Sequence, residues 1–223
     1  MGILYIVATP IGNLKDITLR AIEVLKVADY ILCEDTRVTG KLLNHFDIDK
    51  QMISFNEFSE NKKAQGVLAD LISGKNVALV SDAGTPLISD PGFKLLRDSI
   101  AAGVKIISIP GPSAVITALT VSGKPPDKFL FLGYLPKKEG KRKEILNNIS
   151  KLMDEVKASI VIYEAPYRLI KTLACIKDIF GDTEIVICRE LTKFHEEVRR
   201  EKVSEALNHF LGVKPRGELT IIF

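Results

Sequence analysis

Four short segments of this chain combine glycine, proline, acidic and hydroxyl residues in patterns that suit the binding of a small ligand. They are ATPIGNL at Ala8–Leu14, EDTR at Glu34–Arg37, SDAGTPLISDPG at Ser81–Gly92 and IPGPSA at Ile109–Ala114. The third segment contains no lysine or arginine, and it carries Asp82 near its start. A phosphate group would be repelled there, whereas a nucleoside ribose or a positively charged ligand would be attracted.

Phosphate-binding motifs are missing from these segments. The chain contains no GxxxxGK[ST] sequence, and no GxGxxG follows an apolar run. Pro10 has no N–H, so the first segment cannot offer an unbroken row of backbone donors to a phosphate. These observations argue against ATP and dinucleotides as ligands.

Each segment follows an apolar run that is typical of a buried strand. These strands are predicted at Ile3–Ala8, Tyr30–Cys33, Val77–Val80 and Val104–Ile109. Strands that alternate with helices form a parallel sheet covered on both faces, and their carboxyl ends share one edge. We therefore expect the four segments to meet at that edge. Asp90 and Pro91 predict the N-cap and first residue of the helix that follows the third segment.

The chain changes in character at Ser122–Asp127 (SGKPPD), where glycine, two prolines and charge predict a linker. We predict an N-terminal α/β domain at residues 1–121 with a parallel sheet, and a C-terminal α/β domain at residues 122–223 with a mixed sheet. The second domain carries YEAPYR at Tyr163–Arg168 and CRELTKFHEE at Cys188–Glu197. Both motifs place acidic and basic side chains together where a predicted strand ends.

The composition is that of an ordinary globular protein, with 46% hydrophobic residues and a mild net charge of +3. No apolar run approaches the roughly 20 residues that span a membrane, and the N-terminus lacks the basic region of a signal peptide. The three cysteines show no metal-ligand spacing, so we predict reduced, buried thiols and no metal site. These features predict a cytoplasmic protein without a membrane partner.

Five basic residues lie close together after the predicted strand Phe129–Tyr134. They are Lys137, Lys138, Lys141, Arg142 and Lys143. Two interpretations are open for them: a solvated helix start, or a contact with a nucleic-acid phosphate backbone. No aromatic residues alternate with these bases, so stacking of nucleic-acid bases is not indicated.

Seven segments in order along the chain resemble the tetrapyrrole methylase superfamily of S-adenosylmethionine-dependent methyltransferases. They are LYIVATPIGNLKDIT at Leu4–Thr18, EDTR at Glu34–Arg37, SDAGTPLISDPG at Ser81–Gly92, IPGPSA at Ile109–Ala114, FLFLGYLPKK at Phe129–Lys138, YEAPYR at Tyr163–Arg168 and CRELTK with HEE at Cys188–Glu197. Because the seven motifs run through nearly the whole chain, the resemblance is specific.

This resemblance implies a class III methyltransferase fold, with S-adenosylmethionine bound in a cleft between the two α/β domains. The residues implied at the methyl donor are Pro10, Ile11, Asp82, Ala83, Gly84, Thr85, Ser113, Ala114 and Tyr163. The members that this chain resembles most methylate the ribose 2′-oxygen of a cytidine in the decoding region of 16S rRNA, and they tend to be homodimers. We therefore expect 16S rRNA or the small ribosomal subunit as the acceptor.

The residue types agree with this chemistry. A positively charged sulfonium suits a loop that holds Asp82 and no base, and methyl transfer chiefly demands close, in-line positioning. A ribose hydroxyl attacks poorly until it loses its proton, so a nearby base would help. The candidates for accepting that proton are Glu34, Asp35, Glu164 and Glu190, and the candidates for holding flanking phosphates are Arg37, Arg189 and Lys193. A helix-capping role for Glu164 also remains open.

Two other functions are compatible with parts of this pattern. One is a small-molecule methyltransferase of the same superfamily that acts on a tetrapyrrole or precorrin-type ring, although the basic cluster, EDTR and YEAPYR argue against it. The other is a non-enzymatic RNA-binding module, which would not need a pocket free of bases with a carboxylate at its mouth.

Overall fold

Two five-stranded sheets, one in each half of the chain, carry the fold. The computed structural model describes the backbone of residues 1–223 and the side chains of all of them except Phe58, Asn61 and Asp154. The chain divides into two compact units, Met1–Ser113 and Ala114–Phe223. Each unit combines one sheet with helices, which confirms the prediction of two α/β domains.

The first unit contains a fully parallel sheet with helices on both faces. Its strands are β1 (Ile3–Val7), β2 (Tyr30–Cys33), β3 (Met52–Ser54), β4 (Val77–Leu79) and β5 (Lys105–Ile109), and its helices are α1 (Leu19–Val27), α2 (Thr36–His45), α3 (Glu57–Ser73) and α4 (Phe93–Ala101). The strand order is β3-β2-β4-β1-β5, with parallel pairing throughout. Leu71 of α3 and Leu95 of α4 pack on one face, and Leu25 of α1 and Leu43 of α2 pack on the other.

Two element boundaries in this unit differ from prediction. The sequence predicts a helix over Asn61–Ser73 that ends at Gly74, but α3 begins at Glu57, because Asn56 and Ser59 form a reciprocal capping box one turn earlier. The helix α4 begins at Phe93 rather than Pro91, and its N-cap is Gly92 in the left-handed region with φ 118°. The prediction that Asp90 caps this helix was therefore wrong.

The second unit contains a mixed sheet, as predicted. Its elements are α5 (Ala114–Ser122), β6 (Phe129–Tyr134), α6 (Glu139–Val156), β7 (Ser159–Glu164), α7 (Leu169–Phe180), β8 (Glu184–Arg189), β9 (Glu197–Lys202), α8 (Val203–Gly212) and β10 (Leu219–Ile222). The strand order is β6-β7-β10-β8-β9. Strands β6 and β7 are parallel, whereas β10 runs antiparallel to both β7 and β8.

The division of the chain lies eight residues before the predicted linker. The helix α5 packs on β7, β8 and β10 of the second sheet, and the Cys188 thiol of β8 lies 3.9 Å from the Ala118 carbonyl. Arg200 of β9 also donates to the Ser122 carbonyl at 3.1 Å. Apolar burial thus joins α5 to the second unit, although the segment rich in glycine and proline comes after it.

No helix among the described residues has the length and apolar character needed to cross a membrane.

Candidate functional site

The four segments that the sequence singled out as suited to ligand binding leave neighbouring strands of the first sheet at the same edge, as predicted. They follow β2, β4, β1 and β5, which are consecutive in the strand order, and all of these strands are parallel. We call these segments the strand-end loops: Ala8–Leu14, Glu34–Arg37, Ser81–Gly92 and Pro110–Ser113.

Direct hydrogen bonds hold the strand-end loops together. Thr9 and Gly84 form an isolated antiparallel bridge, with N···O distances of 2.9 Å and 3.0 Å. The buried Thr9 hydroxyl donates to the Ser81 carbonyl at 3.1 Å, and the Thr85 hydroxyl donates to the Pro112 carbonyl at 3.1 Å. The loops after β1, β4 and β5 are therefore one connected structure.

Two glycines allow these loops to approach closely. Gly84 has φ 82°, and a Cβ placed on it would lie 3.3 Å from the Ile11 side chain. A Cβ on Gly111 would lie 3.0 Å from the Cβ of Ala8. Both approaches are tighter than ordinary van der Waals contact, so the packing of the loops depends on these glycines.

Carboxylates converge at the loops after β2 and β4. The Asp82 carboxylate accepts from the Asp35 N–H at 3.0 Å, which joins the two loops. Burial, and then the charges of Asp82 and Asp35, raise the pKa of Glu34 above its ordinary value. Burial, and then the charges of Glu34 and Asp82, raise the pKa of Asp90 to about 6, against a hydrogen bond from Ser81 that lowers it.

Asp82 has a similar environment. Burial raises its pKa, helped by the charge of Asp35, although the Asp35 N–H and the charge of Arg37 act in the opposite direction. Burial is the leading cause of all three raised pKa values, and the charges of neighbouring carboxylates add to it. A positively charged ligand placed among these carboxylates would be attracted by them.

Asp35 differs from its neighbours because Arg37 neutralises it. The Arg37 Nε lies 3.0 Å and 3.1 Å from the two carboxylate oxygens, and the Arg37 N–H donates to the same carboxylate at 2.8 Å. These contacts lower the pKa of Asp35 to about 2. Asp35 is also the N-cap of α2, so its geometry suits a structural anchor better than a proton acceptor.

The residues predicted at the donor fall in both units. Pro10, Ile11 and Gly84 are buried, Asp82, Thr85 and Ser113 are half-buried, and Ala83 is exposed; all seven lie in the strand-end loops of the first unit. Ala114 and Tyr163 belong to the second unit. The Tyr163 ring packs against Phe131 at 4.9 Å and Tyr134 at 5.6 Å between ring centroids.

Glu164, predicted as a proton acceptor, is buried in the second unit with 1% of its surface exposed. Its carboxylate accepts from the Ala165 N–H at 2.8 Å and from the Thr172 hydroxyl, and it pairs with Arg168 at 3.2 Å. Arg168 in turn donates to the Leu135 carbonyl. These contacts give Glu164 a structural task, and Arg168 is a residue that the sequence reasoning missed. The Glu-x-x-x-Arg spacing was the available signal.

The remaining charged candidates, Arg189, Glu190 and Lys193, all take part in ion pairs. Arg189 bonds Glu197 at 2.9 Å. The Lys193 ammonium lies 3.0 Å from Glu190 and 2.6 Å from Glu218. Burial raises the pKa of Glu190, but the Glu218 N–H and Lys193 outweigh it, and the pKa falls below its ordinary value.

The basic cluster after β6 separates into two groups. Arg142 is buried and donates to the carbonyls of Pro136 and Lys137 at 3.4 Å, and Lys143 pairs with Glu139 and Asp178. Lys137, Lys138 and Lys141 are exposed. Among the described residues, no group of three or more His, Cys, Asp or Glu side chains is placed to hold a metal ion.

The chain belongs to the family described as Tetrapyrrole (Corrin/Porphyrin) Methylases, whose model matches residues 3–207. This membership makes it a methyltransferase and implies that it binds a methyl donor. It confirms the family and the reaction class that the motifs predicted.

Relatives within the family are similar over the whole chain. A protein of Thermotoga maritima named ribosomal RNA small subunit methyltransferase I is 47% identical over 222 residues, covering 100% of this chain and 98% of the relative. A protein of Vibrio cholerae with the same name is 48% identical, covering 99% of this chain and 76% of the relative. The crystal structure of a diphthine synthase matches with a TM-score of 0.78 at 14% identity, over 100% of this chain and 90% of that one, and it supports the fold alone.

Proposed function

We propose that this chain transfers a methyl group from S-adenosylmethionine to the ribose 2′-oxygen of a cytidine in 16S rRNA. The observation that carries the donor half of the proposal is the cluster of half-buried carboxylates Glu34, Asp82 and Asp90, in loops joined by the Asp35 N–H to Asp82 hydrogen bond. One of these loops, Ser81–Gly92, contains no lysine or arginine. The acceptor half is supported by the shared name of relatives at 47% and 48% identity.

The strand-end loops would hold the donor. Gly84 packs closely against Ile11, Thr85 bonds the loop after β5, and Asp82 would supply negative charge. When bound, the donor supplies a methyl group made electrophilic by its positively charged sulfur. A field of carboxylates stabilises that charge in the bound state.

We assign to Glu34 the role of accepting the proton that the ribose 2′-hydroxyl loses. Its pKa is raised, whereas those of Asp35 and Glu190 are lowered and Glu164 is fully engaged inside the second unit. A base of raised pKa takes a proton more readily when the ribose oxygen bonds the methyl carbon. Both electrons of the breaking carbon–sulfur bond would stay on the donor's sulfur, which would lose its positive charge.

A side-by-side methylation assay tests the proposal. The chain is incubated with labelled S-adenosylmethionine and offered small ribosomal subunits, protein-free 16S rRNA or a tetrapyrrole. We expect label in 16S rRNA, and the Asp82→Asn variant should bind the donor more weakly. Label in the tetrapyrrole alone would instead support a small-molecule methyltransferase that acts on a ring of the kind named in the family's description. If calorimetry finds no donor binding at millimolar concentration, a non-enzymatic RNA-binding module becomes the better explanation.

A cytoplasmic location would follow from a ribosomal acceptor. The predicted homodimer is a separate prediction, which sedimentation of the purified chain would test.

A further inference from the structure

The second sheet has its own loop-bearing edge, at the carboxyl ends of β6, β7 and β8. Leu219 of β10 pairs with Glu164 of β7 and with Arg189 of β8, and Tyr134 of β6 pairs with Tyr163 of β7. The loops that follow β6, β7 and β8, and the segment that precedes β10, therefore lie side by side. We call this the second loop edge: residues 135–138, 165–168, 190–196 and 214–218.

Two aromatic side chains project into solvent from the second loop edge. Phe194 is 96% exposed and Tyr167 is 76% exposed. The Phe194 ring lies edge-on to the neighbouring His195 ring, with 5.0 Å between centroids. Single exposed apolar residues are common on protein surfaces, but two large exposed rings in neighbouring loops of one sheet edge are a feature that binding surfaces share.

A rigid loop presents Phe194. Glu190 and Thr192 adopt left-handed conformations with φ 52° and 65°, which non-glycine residues rarely adopt. The Glu190 N–H bonds the Glu218 carbonyl at 3.1 Å, and Lys193 bridges the Glu190 and Glu218 carboxylates. A Cβ on Gly217 would overlap the Glu190 carboxylate. A loop backbone held in this way loses little conformational freedom when a ligand binds.

Exposed basic side chains lie in the loops on either side of the two rings. Lys137 and Lys138 lie in the loop after β6, whose carbonyls are held by the buried Arg142 and Arg168. Lys214 and Arg216 are exposed in the segment before β10. The exposed acidic residues nearby are Glu139, Glu196 and Glu218, and Glu218 is already paired with Lys193.

We propose that the second loop edge binds single-stranded rRNA, with unpaired bases stacked on Phe194 and Tyr167 and backbone phosphates on Lys137, Lys138 and Arg216. Aromatic rings between basic side chains are the usual means of holding single strands, because every base has a face that can stack. This inference rests on the proposed function, since it places the RNA of that reaction. It differs from the expectation from sequence that stacking is not indicated, because the rings and the basic side chains are distant in the chain and are brought to one sheet edge by the fold.

The test measures binding of a labelled single-stranded oligonucleotide from 16S rRNA, together with KM for methylation of small subunits. Phe194→Ala and Phe194→Leu should raise Kd and KM by roughly 5- to 100-fold, the range for loss of one base–aromatic stack. Phe194→Tyr, which keeps a ring, should stay close to wild type. Phe129→Ala is the matched control, because Phe129 is 40% exposed at the opposite end of the same sheet.

The salt dependence separates stacking from phosphate binding. Replacing Lys137 and Lys138 with glutamine should reduce the slope of log Kd against log salt by about 0.7 for each phosphate that is no longer neutralised. Phe194→Ala should weaken binding without changing that slope. Donor affinity should be the same in all these variants, which also shows that each one is folded.

Each contrary result overturns a definite statement. Unchanged Kd and KM in Phe194→Ala, with an active wild type, would overturn the stacking proposal alone. A Leu variant that binds the oligonucleotide as well as wild type would show that an apolar side chain without a ring is sufficient, which overturns stacking. A dimer that dissociates in Phe194→Ala would make a second copy of the chain the occupant. If wild type binds RNA but never methylates it, the proposed function fails. The stacking proposal is then still tested by the Kd values of the Phe194 variants. A wild type that binds no RNA overturns both.

Discussion

At the scale of single residues, the carboxylates of the first unit differ because of their partners. Arg37 lowers the pKa of Asp35 to about 2, while burial among like charges raises those of Glu34 and Asp90. The sequence could indicate which acidic residues follow strands. It could not rank them as proton acceptors, because burial and partner geometry arise only in the folded chain.

Glu34→Gln should lower kcat for rRNA methylation by about 100-fold or more, the lower range for loss of a general base. Donor binding should weaken far less than this, because Asp82 and Asp90 remain in the carboxylate cluster. Glutamine keeps the shape of the side chain but cannot accept the proton. Glu23→Gln, an exposed position on α1, is the control. A Glu34→Gln enzyme with wild-type kcat would exclude this residue as the acceptor.

Asp90→Asn should raise thermal stability at pH 8 more than at pH 4. The folded pKa of Asp90, about 6, lies above the unfolded value of about 3.9. The folded wild type therefore holds a proton that the unfolded chain has released, and its stability falls as pH rises between these values. The asparagine variant avoids this loss. Melting temperatures from pH 4 to pH 8 measure the difference, and a constant difference across that range would contradict the assignment.

Glu164→Ala should destabilise the chain by about 3–5 kcal/mol, because it leaves Arg168 buried without its counter-charge. Denaturant unfolding monitored by circular dichroism measures this loss. Normal stability combined with abolished methylation would instead support Glu164 as the proton acceptor that the sequence suggested.

At the scale of elements, apolar runs predicted most strands and helices of the chain. Strand β3 escaped prediction because it has only three half-buried residues at a sheet edge. Strand β9 escaped because its sequence, EVRREK, is mostly charged; Arg199 pairs with Glu201 at 2.7 Å and with Glu197 at 3.6 Å along it. Both are edge strands, where packing imposes the weakest hydrophobic pattern.

The close approach of the strand-end loops gives a prediction at this scale. Gly84→Ala and Gly103→Ala should each lose about 1 kcal/mol of stability from left-handed strain, since their φ angles are 82° and 76°. Only Gly84→Ala should also weaken S-adenosylmethionine binding, because its new Cβ presses on Ile11, whereas nothing lies within 4 Å of a Cβ at position 103. Calorimetry measures the Kd for S-adenosylmethionine of both variants. Equal donor affinities would contradict the proposal that the strand-end loops bind the donor.

At the scale of the whole molecule, each unit presents one loop-bearing sheet edge with its own charge. The edge of the first unit is lined by Glu34, Asp82 and Asp90, and that of the second carries Lys137, Lys138 and Arg216 with two exposed rings. Motif order along the sequence predicted the first edge well. The second loop edge could be predicted only in part, because its aromatic rings and basic side chains come from four separate segments of the chain.

The most direct measurement maps ribose methylation in 16S rRNA. Small subunits that lack the modification are incubated with the chain and S-adenosylmethionine carrying a labelled methyl group, and digested RNA is sequenced by mass spectrometry. We predict one labelled 2′-O-methylcytidine, produced by wild type and Glu23→Gln and strongly reduced in Glu34→Gln. Label on a base, label at no site in the rRNA, or equal yield from Glu34→Gln would contradict the proposed reaction or the role of Glu34 in it.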